Sequence, residues 1–72
     1  MAISYIKLWK LLLDNGMKKT DLIKAADIST TTLAKLSKNQ PVSMEVMGRI
    51  CEALSCDIGD VMEMLIDKTS DS

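Results

Sequence analysis

Small polar and basic side chains are concentrated between residues 18 and 39, and they are the groups in this sequence best suited to bind a ligand. Thr31 and Lys35 are four residues apart, so in a helix they share one face, with Thr30 beside them. A threonine hydroxyl can hydrogen-bond a base edge, and a lysine can reach guanine O6 and N7 or a phosphate. These three residues are therefore candidate DNA contacts. The alternatives are that the threonines only assist the N-cap and that Lys35 is simply solvated.

Side chains with phosphate-binding chemistry flank these three residues. Ammonium and hydroxyl groups bind phosphate oxygens, and the free N–H groups at a helix N-terminus attract anions. The candidates are Lys18, Lys19, Ser29, Thr32, Lys38 and Asn39. For Thr32, packing beside Leu36 is an almost equal alternative.

The charge distribution agrees with this assignment better than the net charge does. The chain has a net charge of −1 and a pI of about 5.2, whereas nucleic-acid-binding domains are often basic. Residues 18–38, however, contain five lysines and two aspartates, while the rest of the chain has four basic and eight acidic residues. A basic segment opposite an acidic remainder is compatible with DNA binding and would orient the approach.

Two short helices joined by a tight turn are predicted to position these groups. Apolar residues recur at helical spacing over residues 19–26 and again over 30–38, where Leu33 and Leu36 share a face. Ser29 is a good N-cap for the second of these helices, and Ile28 would fill the angle between the two. The second helix then exposes a slim face of small polar residues, which fits a DNA major groove. The segment is therefore predicted to be a helix-turn-helix.

The flanking sequence predicts three more helices, over residues 5–15, 44–54 and 58–66, with a polar tail at 67–72. Ser4, Ser43 and Asp57 are the expected N-caps, and Gly16 and Asn39 are the expected C-terminal stops. Period-2 alternation is missing, which argues against a sheet. We expect one all-α domain of 72 residues, a compact five-helix bundle with an aliphatic core. Its inward stripes are Tyr5, Leu8, Trp9, Leu12 and Leu13 on the first helix and Ile58, Val61, Met62 and Leu65 on the fifth.

Other classes of function find little support. The chain has no histidine, and Cys51 and Cys56 do not match a zinc spacing, so they are read as structural thiols in a reducing cytoplasm. The carboxylates have no neighbouring nucleophile, base or phosphate-binding loop, so no enzyme, metal site, cofactor or small-molecule ligand is expected. Charged residues interrupt the apolar runs, which excludes a membrane span. Met44, Met64 and Ile66, with the Tyr5–Trp9 side of the first helix, are a candidate surface for a homodimer.

Three stretches of the chain show a pattern that is found together in one known family: LWKLLLDNGMKKTDLIKAADIS, TTTLAKLSKNQPVS and MGRICEALSCDIGDVME. They resemble the Cro/cI-type helix-turn-helix transcriptional regulators, also called the xenobiotic-response-element family. The resemblance spans roughly residues 5–64 and looks like a small single-domain subgroup. It departs from the family at Ile23 and Asp27, where members often have alanine and glycine, and in its threonine-rich third helix.

The resemblance implies a lambda-repressor-like bundle in which the second helix lies over the DNA backbone and the third reads bases in the major groove. By the register of the family, Lys19 is the first choice for a phosphate contact. The chain is thus expected to be a sequence-specific double-stranded DNA-binding regulator, a repressor acting as a dimer. The alternative is a protein-interaction module on the same fold, such as an antitoxin-like or anti-repressor partner, which the acidic pI and the methionine-rich C-terminal half would suit.

Overall fold

The computed structural model describes residues 2–66, and its architecture is mostly helical with one small sheet. The helices surround an aliphatic core, and the two ends of the described range pair as antiparallel strands. The elements, in chain order, are β1 (Ala2–Ser4), α1 (Ile6–Asp14), α2 (Lys19–Ala26), α3 (Thr30–Ser37), α4 (Met44–Leu54), a 3-10 turn (Ile58–Asp60) and β2 (Glu63–Leu65). The predicted all-α helix-turn-helix class is confirmed, with four α-helices rather than five among residues 2–66. The predicted tail at 67–72 lies outside the described residues.

The predicted fifth helix over residues 58–66 and the expected absence of a sheet are wrong. Asp57 does act as a cap, since its Oδ1 accepts a hydrogen bond from the Ile58 amide at 2.8 Å, but the helical turn that follows is only three residues long. Gly59 within it lowers helix propensity. The chain then extends as β2, which pairs with β1 in the register Ala2↔Leu65, Ile3↔Met64 and Ser4↔Glu63. Pairing with the chain's other end satisfies backbone groups that a short, poorly packed helix would leave weakly supported.

The core contains residues from every helix. Its buried apolar members are Tyr5, Leu8, Leu12, Leu22, Ala26, Ile28, Leu36, Met47, Ile50 and Val61. Two predicted inward residues are wrong: Leu13 is 76% exposed, and Leu65 is exposed on β2. Tyr5 is only 1% exposed, which agrees with its place in the inward stripe of the first helix but not with its place on a dimer surface. Since Tyr5 is inside the core, it cannot contribute to a surface for a second copy.

Tyr5 links the start of α1 to the loop that follows α3. Its amide donates to Asn39 Oδ1 at 3.2 Å, and its hydroxyl donates to the Gln40 carbonyl at 2.8 Å. Tyr5, rather than the expected Ser4, is the N-cap residue of α1, while Ser4 Oγ accepts from the Ile6 amide at 3.3 Å. Burial raises the pKa of the Tyr5 hydroxyl above its usual range.

Tyr5→Phe is expected to lower the free energy of unfolding by about 1 kcal/mol, because the Gln40 carbonyl loses a hydrogen-bond donor while the packing of the ring is retained. Urea denaturation of both proteins measures the difference. An unchanged midpoint would show that water replaces the hydroxyl without loss. Trp9→Phe would not be a matched control for the lost hydrogen bond, because Trp9 is only half-buried and its ring contacts Lys19.

Both cysteines are free and half-buried near the end of α4. Burial, followed by the proximity of Cys51, raises the pKa of the Cys56 thiol. Among residues 2–66, no group of three or more histidine, cysteine, aspartate or glutamate residues is placed to hold a metal ion. Within the same range, no helix has the length and apolar character required to cross a membrane.

Candidate nucleic-acid interface

Ser29 determines where α3 begins. Its backbone is extended and its Oγ accepts a hydrogen bond from the Thr32 amide at 3.1 Å, which satisfies one of the free N–H groups of the first turn. The Thr32 hydroxyl lies 3.0 Å from Ser29 Oγ, so the two side chains form a local pair. The predicted N-cap is therefore present. Both hydroxyls remain at the N-terminal end of α3, where an anion is favoured.

Asp27 makes the turn that fixes the angle between α2 and α3. It adopts the left-handed conformation at φ 54°, and the next residue, Ile28, is buried between the helices. Arg49 of α4 contributes a contact that the sequence did not predict: its Nη1 donates to the Asp27 carbonyl at 3.2 Å. Its Nη2 reaches Glu45 Oε1 at 3.4 Å, an exposed pair of small energetic weight. Helix α4 thus supports the turn through a backbone carbonyl as well as through the core.

Asp27→Gly is expected to raise the free energy of unfolding by about 0.5 kcal/mol, since glycine adopts the left-handed conformation without a Cβ penalty and the Arg49 bond goes to the backbone. Asp27→Ala, which keeps a Cβ but lacks the short polar side chain that makes the left-handed conformation more accessible to aspartate, is expected to lower it by about 1 kcal/mol. Thermal denaturation of the three proteins tests this. If both variants shift the midpoint in the same direction, backbone strain is not the cause.

Helix α3 has one buried face and one open face. Leu36 is fully buried and Leu33 is half-buried, whereas Thr30, Thr31 and Lys35 are all exposed. Ala34, also exposed, adds no bulk. The open face is therefore narrow and polar, with one ammonium group a helical turn beyond Thr31, which is the shape and chemistry that can enter a groove lined by base edges.

The N-terminus of α2 carries the other cluster of predicted contacts. Lys18 and Lys19 are both exposed, and the Lys18 amide donates to Asp21 Oδ2 at 2.9 Å. The Lys19 ammonium lies 4.2 Å from the centroid of the Trp9 ring on α1. Asp21 and Trp9 were not among the predicted site residues. The role of Asp21 could have been predicted, because an acidic residue in the first turn of a helix often caps it. The contact of Trp9 with Lys19 could not, because it depends on the angle between α1 and α2.

The C-terminal end of α3 holds Lys38 and Asn39, both exposed. Asn39 takes the left-handed conformation at φ 57°, as expected for a C-terminal stop. Its Oδ1 accepts from the Tyr5 amide at 3.2 Å, a structural contact that no local sequence pattern indicates. The Asn39 amide nitrogen remains the part of this side chain that could reach a phosphate.

Known proteins share this fold and its helix-turn-helix. Residues 7–67 match the family model described as the Cro/C1-type HTH DNA-binding domain. The chain is similar to a solved structure described as the transcriptional regulator VanUg, form II, with 52% sequence identity and a TM-score of 0.87. That similarity covers 92% of this chain and 88% of the other. No curated protein matches the chain. The matched range includes both helices of the turn described above.

Proposed function

Because the chain belongs to the Cro/C1-type family of helix-turn-helix DNA-binding domains, we propose that it is a sequence-specific transcriptional repressor. In this proposal residues 1–72 act as a single domain in the cytoplasm, without enzymatic activity. The similar solved structure is that of a transcriptional regulator, which supports a regulatory role. The observation that carries the proposal is the open face of α3, which is narrow, polar and held rigidly by Leu36 in the core.

The open face of α3 would lie in the major groove. Thr30 and Thr31 are at the N-terminal end of the helix, which is the part that contacts base edges in helix-turn-helix complexes. Their hydroxyls can hydrogen-bond base edges, and their methyl groups can contact the methyl group of thymine. Lys35, one turn further, would bind guanine or a phosphate. These residues give the complex its sequence preference.

Phosphate contacts would surround this face and fix its register. Residues that carry amides, hydroxyls or ammonium groups at the helix ends supply them. They are Lys18, Lys19, Ser29, Thr32, Lys38 and Asn39. All except Thr32 are exposed, and Thr32 is half-buried beside Ser29.

The repressor would act as a homodimer, because one such module buries little DNA surface and gains from a second half-site. Two copies would place their α3 helices in successive major grooves about 34 Å apart. The proposed dimer surface consists of exposed apolar side chains. They are Met64 on β2, which is 47% exposed, Ile66 just after it, which is 64% exposed, and Met44 at the start of α4. Double-stranded DNA and a second copy are the only partners that the proposal includes.

The dimer is tested by sedimentation equilibrium over a range of protein concentrations. We expect a concentration-dependent mass that approaches two chains, and we expect Met64→Lys to shift it toward one chain. Leu13→Lys is the matched control, since Leu13 is also exposed but lies on α1, outside the proposed surface. A wild-type protein that stays monomeric at high concentration, or a shift by both variants alike, would contradict the proposed surface.

The DNA-binding proposal is tested by titrating fluorescently labelled random-sequence duplex at several salt concentrations. Release of counterions from about six phosphates predicts a plot of log K against log salt with a slope near −5. A protein-interaction module, which the acidic pI of about 5.2 and the exposed apolar residues of β2 would also suit, would bind duplex weakly and with little salt dependence. That second outcome would favour the alternative function.

A further inference from the structure

We propose that Trp9 is a positioning residue for DNA binding, which holds the ammonium group of Lys19 at the N-terminus of α2 in the orientation in which it meets a phosphate. The inference deepens the proposed function and rests on it. It is carried by the 4.2 Å distance between Lys19 Nζ and the centroid of the Trp9 ring.

The cation–π contact joins α1, which has no proposed DNA contact, to α2, which has one at its N-terminus. Trp9 belongs to α1, whose buried face packs in the core, and it is itself half-buried against that core. Lys19 is the first residue of α2, where free N–H groups point toward solvent. The indole is fixed by packing and the lysine is not, so the ring restricts the lysine rather than the reverse.

The surroundings strengthen this contact. The ring lies in a surface groove of about 300 Å³ lined by Trp9, Leu12, Leu13, Met17, Lys18 and Lys19. Apart from the two lysines, the side chains that line the groove are apolar, so the indole face is the favourable partner that the groove offers to the Lys19 ammonium. Cation–π attraction also increases as water is removed from around the two groups. An ammonium group has three N–H donors, and a ring on one side leaves at least one of them free to point elsewhere. Lys19 can therefore keep the ring contact and donate to a phosphate at the same time.

Restriction of Lys19 matters because a free lysine loses much rotamer entropy when it is ordered by a ligand. A lysine that the ring already holds loses less rotamer entropy when it binds, and this increases the affinity without adding any contact. Lys18 has no aromatic partner among residues 2–66 and shares the same charge. The structure thus assigns unequal roles to two adjacent lysines, and the inequality comes from α1.

The test is a double-mutant cycle in duplex binding at low salt, using random-sequence duplex of about 20 base pairs. Trp9→Leu is expected to weaken binding about two- to fivefold, and Trp9→Tyr, which keeps a ring, is expected to recover at least half of that loss. In a Lys19→Met background, Trp9→Leu is expected to have no further effect. Thermal unfolding of each variant establishes that binding is measured on folded protein.

A second readout needs no variant. Ring current from the indole is expected to move the Lys19 ε-methylene proton resonances upfield in the free protein, and this shift is expected to persist in the DNA complex. Loss of the shift on binding would mean that Lys19 leaves the ring to reach phosphate, and it would overturn the inference. Equal or tighter binding by Trp9→Leu, or an undiminished effect in the Lys19→Met background, would also overturn it.

The outcomes for the two proposals are distinguishable. If the wild-type protein binds duplex with the expected salt dependence but the cycle shows no coupling, the role of Trp9 is refuted and the proposed function stands. If the wild-type protein does not bind duplex, the proposed function fails and the role of Trp9 fails with it. Lys18→Met is a matched control, for which no coupling with Trp9→Leu is expected.

Discussion

Leu36→Ala is expected to lower the free energy of unfolding by about 3 kcal/mol, the largest effect that a single substitution in α3 should have. Leu36 is completely buried and it is the residue that anchors the open face of α3 to the core. Its truncation removes apolar contacts and leaves a cavity that the surrounding helices can only partly close. Since a domain of this size has a free energy of unfolding of only about 4–10 kcal/mol, the variant loses a large fraction of its stability.

Leu13→Ala is the matched control for this prediction. It makes the same chemical change in α1, but Leu13 is 76% exposed, so the expected loss is below about 0.5 kcal/mol. Urea denaturation monitored by circular dichroism measures both variants. If Leu36→Ala and Leu13→Ala cost similar amounts, then α3 does not pack on the core through Leu36, and its open face is not held rigidly.

The second large effect is on DNA binding. Lys35→Ala is expected to weaken specific binding by more than about 1 kcal/mol, because it removes the ammonium group in the middle of the open face of α3. Lys35 is exposed, so its removal should leave the fold intact. Binding is measured on a selected duplex at fixed salt by fluorescence anisotropy.

Lys10→Ala is the control for charge, since Lys10 is also exposed and lies on α1, outside the helix-turn-helix. It is expected to change binding by less than about 0.3 kcal/mol, through the long-range field alone. Unchanged binding by Lys35→Ala, or an equal loss of affinity from both variants, would show that base recognition has been wrongly assigned to the open face of α3.

Local signals explain why four helices could be predicted from the sequence. Ser29 and Ser43 are N-caps whose hydroxyl groups accept the predicted amide hydrogen bonds, and α2 and α4 span the predicted residues. Gly16 and Asn39 take the left-handed conformations that end α1 and α3. Each of these features depends on residues within one helical turn, so a sequence read in short windows contains them.

The errors fall where the structure depends on residues distant in the chain. β2 replaces the predicted fifth helix because it pairs with β1 near the N-terminus, and a strand of only three residues is too short to show a period-2 alternation. Tyr5 has the spacing of an ordinary stripe residue, but its partners Asn39 and Gln40 lie 34 and 35 positions away. No periodicity carries that information.

In the candidate site, too, features set by local helical spacing could be predicted and features set by the packing of helices could not. The exposure of Thr30, Thr31 and Lys35 followed from helical geometry, because Leu36 had to face inward. The contacts of Arg49 with the Asp27 carbonyl and of Lys19 with Trp9 depend on angles between helices, which sequence spacing does not determine. The exposure of the proposed DNA contacts could thus be predicted from the sequence, whereas the contacts that hold them in place could not.

The most direct test of sequence-specific recognition is selection from a pool of random duplex DNA, followed by sequencing. We expect enrichment of one near-palindromic motif with half-sites about 10 base pairs apart, centre to centre, as a dimer with two α3 helices in successive major grooves requires. We also expect Lys35→Ala to relax the preference at one position in each half-site. A pool in which no sequence is enriched would contradict sequence-specific DNA recognition by this protein.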